Sequence, residues 1–283
     1  MMVVTDISQL ERALIELRRD KGSLAFVPTM GNLHDGHLSL VRQAAAAASA
    51  VVVSIFVNPM QFGANEDLAS YPRTLEADLM KLEQAAVDLV FTPTVDDMYP
   101  EGTDHHTKIH VPVLGEVLCG ASRPGHFDGV STVVYKLFRL VKPEMAVFGE
   151  KDLQQLLIIK KMVADLDLGI DILSGPTQRA ADGLALSSRN LYLSDTERAL
   201  APTLYATLVA CAEALRSAPE APTAPLQEAR SQLVEAGFTL DYLELRDLHS
   251  LARVDSLEQD CALFVAARLG TTRLIDNVQI RSA

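Results

Sequence analysis

Apolar positions along the chain follow two periods. Residues 24–27, 51–57, 88–91, 145–148 and 170–173 are short apolar runs, several of them β-branched, which predicts strands buried on both faces. Between them apolar residues recur at helical spacing. Leu10, Ala13, Leu14 and Leu17 mark a helix over 8–20, and Leu40, Val41 and Ala44 mark one reaching about Ser49. Further helices are predicted over 73–86, from Gly129 onward through Val130, Val133, Val134, Leu137, Phe138 and Val141, and over 153–166. Strand–helix–strand alternation of this kind predicts a parallel, doubly wound sheet, whose ligands sit beyond the carboxyl ends of the strands.

Past Pro176 the pattern changes. Ser187-Ser188-Arg189-Asn190 reads as a polar loop, and Ser194 with Glu197 has capping-box spacing ahead of Leu200, Leu204, Leu208, Cys211 and Leu215. Residues 217–225 carry three prolines and read as a linker, followed by a short helix over 226–236. Strands are predicted over 238–245, 262–269 and 273–280. Two helices and a small, mostly antiparallel sheet make a second, smaller α+β domain over 177–283, after a larger α/β domain over 1–176.

With 48% hydrophobic residues in 283, the chain has ample material for a core. The net charge of −12 argues against a nucleic-acid surface, but a local basic site can still hold an anion. Three widely spaced cysteines without a Cys-x-x-Cys pair fit a reducing compartment. The first residues show no basic region ahead of an apolar stretch, and no apolar run approaches a membrane span. A cytoplasmic protein without membrane or nucleic-acid partners is expected.

The stretch from Leu24 to Leu40 carries the first chemistry. Pro28 stops the strand, and Gly31 and Gly36 frame a turn into a helix, so free backbone N–H groups and the positive end of a helix dipole face one point. Four residues separate these glycines, as in a Walker A loop, but His37-Leu38 replaces the Lys-Ser/Thr pair. This is phosphate-binding geometry with imidazoles as side-chain donors. A second strand–glycine–helix junction follows at Gly149-Glu150-Lys151-Asp152. His105, His106 and His110 lie beside Asp104 without the ligand spacing of a zinc site, and read as a loop; no resident metal is expected there.

His34-Asp35-Gly36-His37 resembles the His-x-Gly-His signature of the nucleotidylyl-transferase superfamily, whose sheet is Rossmann-like. The longer string Pro28-Thr29-Met30-Gly31-Asn32-Leu33-His34-Asp35-Gly36-His37 resembles the pantothenate synthetase (pantoate–β-alanine ligase) family. Further matches to that family are Asn58-Pro59-Met60-Gln61-Phe62, Tyr71-Pro72-Arg73-Thr74, Cys119-Gly120-Ala121-Ser122-Arg123-Pro124-Gly125-His126-Phe127 and Phe148-Gly149-Glu150-Lys151-Asp152-Leu153-Gln154-Gln155. Asp182-Gly183-Leu184-Ala185-Leu186-Ser187-Ser188-Arg189-Asn190 and Ala267-Arg268-Leu269-Gly270-Thr271-Thr272-Arg273-Leu274-Ile275-Asp276-Asn277 extend the resemblance along nearly the whole chain. Asp35 stands where the family more often has Glu, and Gln178 where it usually has an apolar residue beside the adenine.

The resemblance implies ligation of pantoate to β-alanine in two steps, with ATP consumed through a pantoyl adenylate and Mg²⁺ bridging the phosphates. It implies catalytic roles for His34, His37, Lys151 and Arg189 on the α-phosphate and departing pyrophosphate. ATP contacts are implied for Met30, Gly31, Asn32, Leu33, His34, Asp35, Gly36 and His37, and for Gly149, Glu150, Lys151 and Asp152. They are implied as well for Gln178, Leu186, Ser187, Ser188 and Arg189. Gln61 and Gln155 would hold pantoate, with Asn58 supporting that pocket. Residues 1–176 would then bind nucleotide and pantoate, and 177–283 would act as a lid; a homodimer is expected from the family alone. Arg123 and His126 have no assigned role. Two alternatives remain: a nucleotidylyl transferase that stops after the first step, and a nucleotide-sensing module. The Asn58–Phe62 and Gln155 elements disfavour the first, and retention of His34, His37, Lys151 and Arg189 disfavours the second.

Overall fold

The computed structural model describes residues 1–64 and 66–282. In chain order the elements are β1 (Met2–Val4), α1 (Ile7–Lys21), β2 (Leu24–Thr29), α2 (Asp35–Ala47), β3 (Ala50–Ile55), α3 (Leu75–Gln84), β4 (Leu89–Phe91), α4 (Val95–Met98) and α5 (Cys119–Ser122). They continue as α6 (His126–Val141), β5 (Met145–Gly149), α7 (Leu153–Asp165), β6 (Asp171–Gly175), α8 (Asp195–Leu200), α9 (Thr203–Ser217) and α10 (Thr223–Glu235). Strands β7 (Thr239–Asp247), β8 (Cys261–Leu269) and β9 (Thr272–Ile280) close the chain. Contacts divide it into two compact units: Met1–Gly115 with Arg123–Glu150 and Gln154–Pro176, and Glu116–Ser122 with Lys151–Leu153 and Thr177–Ala283.

In the first unit six parallel strands run in the order β1-β4-β3-β2-β5-β6, the expected doubly wound, Rossmann-like sheet. Its strands are apolar on successive residues because both faces are covered. Ala25, Val27, Val51, Val53 and Val90 pack with Val41 and Ala44 of α2 and Leu82 of α3. On the other face Phe26 meets Phe138 of α6 edge to face, at 6.3 Å between ring centroids. The strand order reverses between β2 and β5, and their pairing stops at Phe26↔Ala146. Pro28, which has no N–H to give a ladder, therefore lies beyond the last β2–β5 pair.

In the second unit β7, β8 and β9 form an antiparallel sheet. Alternate residues Cys261, Leu263, Val265 and Ala267 pack with Leu204, Leu208, Cys211 and Leu215 of α9 and with Leu233 of α10. Three details differ from the sequence reading. The helix after Ser194 breaks at Ala201-Pro202, so Leu200 is left exposed instead of continuing the apolar stripe. The region read as a proline linker already enters α10 at Thr223, because Pro225 sits in the first turn, where no N–H is required. The polar stretch after Ser187 is a 3₁₀ turn, Ser188–Tyr192, and not a loop. Among the described residues no helix is long and apolar enough to cross a membrane.

Candidate active site

The site of the first unit begins where β2 ends. Gly31 (φ +82°) and Asn32 (φ +50°) reverse the chain. A Cβ on Gly31 would stand 3.1 Å from the Ile55 side chain and 3.2 Å from an Asp78 carboxylate oxygen, so a side chain there is both strained and crowded. Asp78, fully buried on α3, holds the turn: its Oδ2 accepts the Asn32 N–H at 2.8 Å and its Oδ1 the Leu33 N–H at 2.7 Å. The Thr74 hydroxyl donates to Oδ2 at 3.1 Å, and Lys81 Nζ donates to the Leu33 carbonyl at 2.5 Å.

Helix α2 then opens on two histidines. His34 is its N-cap, with Nδ1 accepting the Gly36 N–H at 3.2 Å, and His37 Nδ1 accepts the His34 N–H at 3.3 Å. A backbone N–H can only donate, so each Nδ1 holds a lone pair and each neutral ring carries its proton on Nε2. The rings lie 4.1 Å apart, tilted by 36°. The result is a pair of Nε2–H donors beside the positive end of a helix. Asp35, exposed in the first turn, is placed favourably for that dipole.

Asn58 and Gln61 follow β3: Asn58 caps the 3₁₀ turn Pro59–Gln61, and Gln61 is its last residue. Asn58 Nδ2 donates to Gln61 Oε1 and to the Gly129 carbonyl, both at 3.1 Å. Gln61 Nε2 lies 3.1 Å from Met30 Sδ, so Met30, Asn58 and Gln61 are brought together. Arg123 and His126 grip the same loop from behind. His126 Nδ1 donates to the Gln61 carbonyl at 2.8 Å, and Arg123 Nη2 donates to it at 3.3 Å. Arg123 also forks onto Glu66 at 2.6 and 2.5 Å. Burial would push the Glu66 carboxyl up, but the hydrogen bonds and charge of Arg123 outweigh it and bring it down to about 2. On α7, Gln154 is buried with its amide on the Leu114 carbonyl at 2.8 Å, while Gln155 is half-buried. His106 packs edge-on against Tyr99 and His110 pairs with Asp128 at 2.9 Å. Among the described residues no group of three or more His, Cys, Asp or Glu is arranged to hold a metal.

The second unit carries Lys151 and residues 178–189. Gln178 and Leu186 are joined by a backbone bond of 2.9 Å, and Arg179 bridges to Ala185, making a narrow hairpin that turns at Gly183 (φ +94°). It leads directly to Ser187, whose hydroxyl accepts the Arg189 N–H at 3.3 Å and caps the 3₁₀ turn holding Ser188 and Arg189. Arg179 anchors the hairpin: it forks onto buried Asp276 at 2.6 and 2.8 Å and stacks on Tyr205, 3.3 Å from the ring centroid. The neighbouring Asn277 donates to the Lys151 carbonyl at 3.1 Å. Lys151 and the hairpin are therefore tied through adjacent residues of β9. Glu150, Lys151 and Asp152 form a 3₁₀ turn beyond Gly149, and Lys151 Nζ lies 3.8 Å from Asp152 Oδ1.

Asp78, Asp276 and Arg179 were given no role by sequence reasoning. Asp78 stands four residues before Leu82, and both are buried, but nothing in the sequence separates such a carboxylate from a solvated one.

Comparison with known proteins supplies the family. The family model described as pantoate-beta-alanine ligase matches residues 2–279. Pantothenate synthetase from Chromohalobacter salexigens is 56% identical over 280 residues, covering 99% of each chain. The one from Pseudomonas aeruginosa is 52% identical over 280 residues, again covering 99% of each. The crystal structure of pantothenate synthetase from Thermus thermophilus superposes with a TM-score of 0.91 at 44% identity, covering 98% of this chain and 99% of that one. Pantoate-beta-alanine ligase from Francisella tularensis, solved with beta-gamma ATP and beta-alanine, gives a TM-score of 0.82 at 36% identity, covering 98% of this chain and 97% of that one. The chain belongs to the pantoate–β-alanine ligase family, the pantothenate synthetases, and is an enzyme of that ligase class.

Proposed function

We propose that this ligase works in two steps on ATP, pantoate and β-alanine. In the first, a pantoate carboxylate oxygen bonds to the α-phosphorus as the bond to pyrophosphate breaks. In the second, the β-alanine amine bonds to the acyl carbon, AMP leaves with the bonding pair, and the amine loses its proton. The carboxylate is already ionised at neutral pH, so the first step asks for stabilisation of charge on phosphate oxygens and not for a base.

The observation that carries this reading is the paired histidine cap. Two Nε2–H groups, held in one tautomer by backbone donors to Nδ1, suit a phosphoryl group at the start of α2. In this reading His34, His37, Lys151 and Arg189 bear on the α-phosphate and the leaving pyrophosphate. Ser187 and Ser188 donate to the outer phosphates, and Gln61, Gln155 and Asn58 hold pantoate. Met30, Gly31, Asn32, Leu33, Asp35, Gly36, Gly149, Glu150, Asp152, Gln178 and Leu186 complete the nucleotide contacts. The ATP and β-alanine bound by the Francisella tularensis relative support the choice of substrates.

Mg²⁺ usually takes most of its ligands from phosphate and water, with one or two carboxylates. Asp152, close to Lys151 and partly exposed, fits that minimal role. When bound, the metal would supply charge neutralisation on the phosphates. The three cysteines are all buried thiols, which supports a reducing compartment such as the cytoplasm. A homodimer is proposed from the family; a solution mass near 30.7 kDa would overturn it.

The chemical proposal is tested by release of pyrophosphate and AMP from ATP plus pantoate. Pyrophosphate should form in one burst without β-alanine, whereas AMP should be released continuously only with it. Steady AMP release that needs β-alanine but no pantoate, or pyrophosphate release that needs no pantoate, would sink the two-step scheme.

A further inference from the structure

Tyr99 ends α4, is 1% exposed, and belongs to none of the groups assigned above. Its hydroxyl lies 2.8 Å from Asn58 Oδ1. Two backbone groups fix which way the Asn58 amide is turned. The Met60 N–H, which can only donate, is 3.3 Å from Oδ1, and the Gly129 carbonyl, which can only accept, is 3.1 Å from Nδ2. Tyr99 must therefore donate to Oδ1, and Gln61 Oε1 must be the second acceptor of Nδ2, at 3.1 Å. With Oε1 turned onto Asn58, the atom of the Gln61 amide directed away from Asn58 is Nε2, whose described neighbour is the thioether of Met30 at 3.1 Å, a weak acceptor.

The arrangement is rigid. A Cβ on Gly129 would stand 2.3 Å from the Met60 carbonyl oxygen, so α6 can approach this loop only because residue 129 has no side chain. The Tyr99 ring is held by Phe56 at 6.2 Å, by the edge of His106 at 5.0 Å and by Lys136 Nζ 5.1 Å from its centroid. Burial pushes the Tyr99 phenol well above its ordinary value, so the hydroxyl keeps its proton across the working pH range.

We propose that Tyr99 is a positioning residue for the acid substrate: through Asn58 it holds Gln61 with Oε1 turned toward Asn58 and Nε2–H turned toward the ligand, which favours an oxygen acceptor such as the carboxylate or hydroxyl of pantoate. The proposal rests on the reading of Gln61 as part of the pantoate subsite, and its test separates the two. KM values for pantoate and for ATP are measured for the wild type, Tyr99→Phe, Gln61→Ala and the double variant. Tyr99→Phe keeps the ring and removes only the donor. It is expected to raise the pantoate KM about tenfold, the effect of one lost buried hydrogen bond, with the ATP KM within about twofold. In the Gln61→Ala background the same change should add nothing, because the group it orients is gone.

A wild-type pantoate KM in Tyr99→Phe, beside a raised one in Gln61→Ala, overturns the relay and leaves the subsite standing. An equal effect of Tyr99→Phe with and without Gln61 also overturns it, since the tyrosine would then act on the fold alone. An unchanged pantoate KM in Gln61→Ala overturns the subsite and the relay together. If thermal unfolding shows that Tyr99→Phe does not fold, Gln61→Glu carries the test by placing an oxygen where the N–H stood. Its pantoate KM should exceed that of Gln61→Ala, and a lower or equal value overturns the proposed orientation.

Discussion

Helices seldom open on histidine, since Ser, Thr, Asp and Asn cap them better. Here the weaker cap has a chemical return: engaging Nδ1 of His34 and His37 with backbone N–H places the proton of each neutral ring on Nε2, which makes that atom a donor. His37→Ala and Lys151→Ala should each fold and yet lose about a hundredfold or more in pyrophosphate formation, the worth of roughly 3 kcal/mol from one donor to a developing charge. Near-normal single-turnover adenylation by either variant would remove that residue from the reaction. Glu66 makes a different prediction, about stability and pH. Its folded carboxyl titrates at about 2 against an ordinary value of 4.5, so its ion pair with Arg123 contributes fully above about pH 4.5. That contribution is lost as pH falls toward 2. After allowance for solvent screening of a partly exposed pair, it is on the order of 1–2 kcal/mol. In urea unfolding, Glu66→Gln should therefore be less stable than the wild type by a constant amount from pH 8 to 5, with the gap shrinking below about 4.5. A gap that widened in acid would mean that the carboxyl is not held down in the fold.

At the scale of elements, α3 is the support of the glycine turn. Asp78 accepts two backbone N–H groups and Lys81 donates to the carbonyl between them and α2. Asp78→Ala leaves the buried Leu33 N–H unsatisfied, at about 1–3 kcal/mol, and the partly buried Asn32 N–H without its acceptor as well. Unfolding free energy should fall by about 2 kcal/mol or more, and the KM for ATP should rise as the turn loosens. A loss under about 1 kcal/mol in urea titration would show that the turn stands without this carboxylate. None of this support was legible beforehand. Buried strands announce themselves by continuous apolar runs, and α1, α2 and α6 by their stripes, so the sheet and the glycine turn could be read directly. A buried carboxylate gives no such signal, because Asp78 or Asp276 in a one-dimensional pattern looks like any solvated acid. Strand β1 was missed for a different reason: its three residues are all apolar, but a run this short does not stand out as a strand, and only Val4 is buried. The helix break at Ala201-Pro202 was masked because Leu200 and Leu204 keep helical spacing across it. The Asn58–Gln61 loop was found through its resemblance, whereas its partners Tyr99, Gly129 and Arg123 lie distant in sequence and are joined to it only by the fold.

At the scale of the whole molecule, the proposed reaction asks residues of two compact units to act on one nucleotide. His34 and His37 belong to the first, whereas Lys151, Ser187, Ser188 and Arg189 belong to the second. A ligand that binds only when both sets are in place stabilises each against local opening, by about 2.7 kcal/mol at a hundredfold excess over its Kd. It would also help to keep water from the acyl adenylate, a mixed anhydride that must survive until the amine arrives. Amide exchange is the natural measurement, because it reports the two regions separately in one experiment. With ATP and Mg²⁺ present, exchange should slow both in the glycine turn around Asn32–His37 and in the segment 178–190. Arg189→Ala should weaken the protection in both regions at once, although only one of them contains the mutation. Asp276→Ala gives an independent handle: breaking a buried, forked ion pair costs about 3–5 kcal/mol and frees the 178–186 hairpin, so protection there should be lost first. Protection confined to the glycine turn, in a preparation shown to bind ATP, would mean that the nucleotide is held by the first unit alone and that Lys151 and Arg189 act elsewhere.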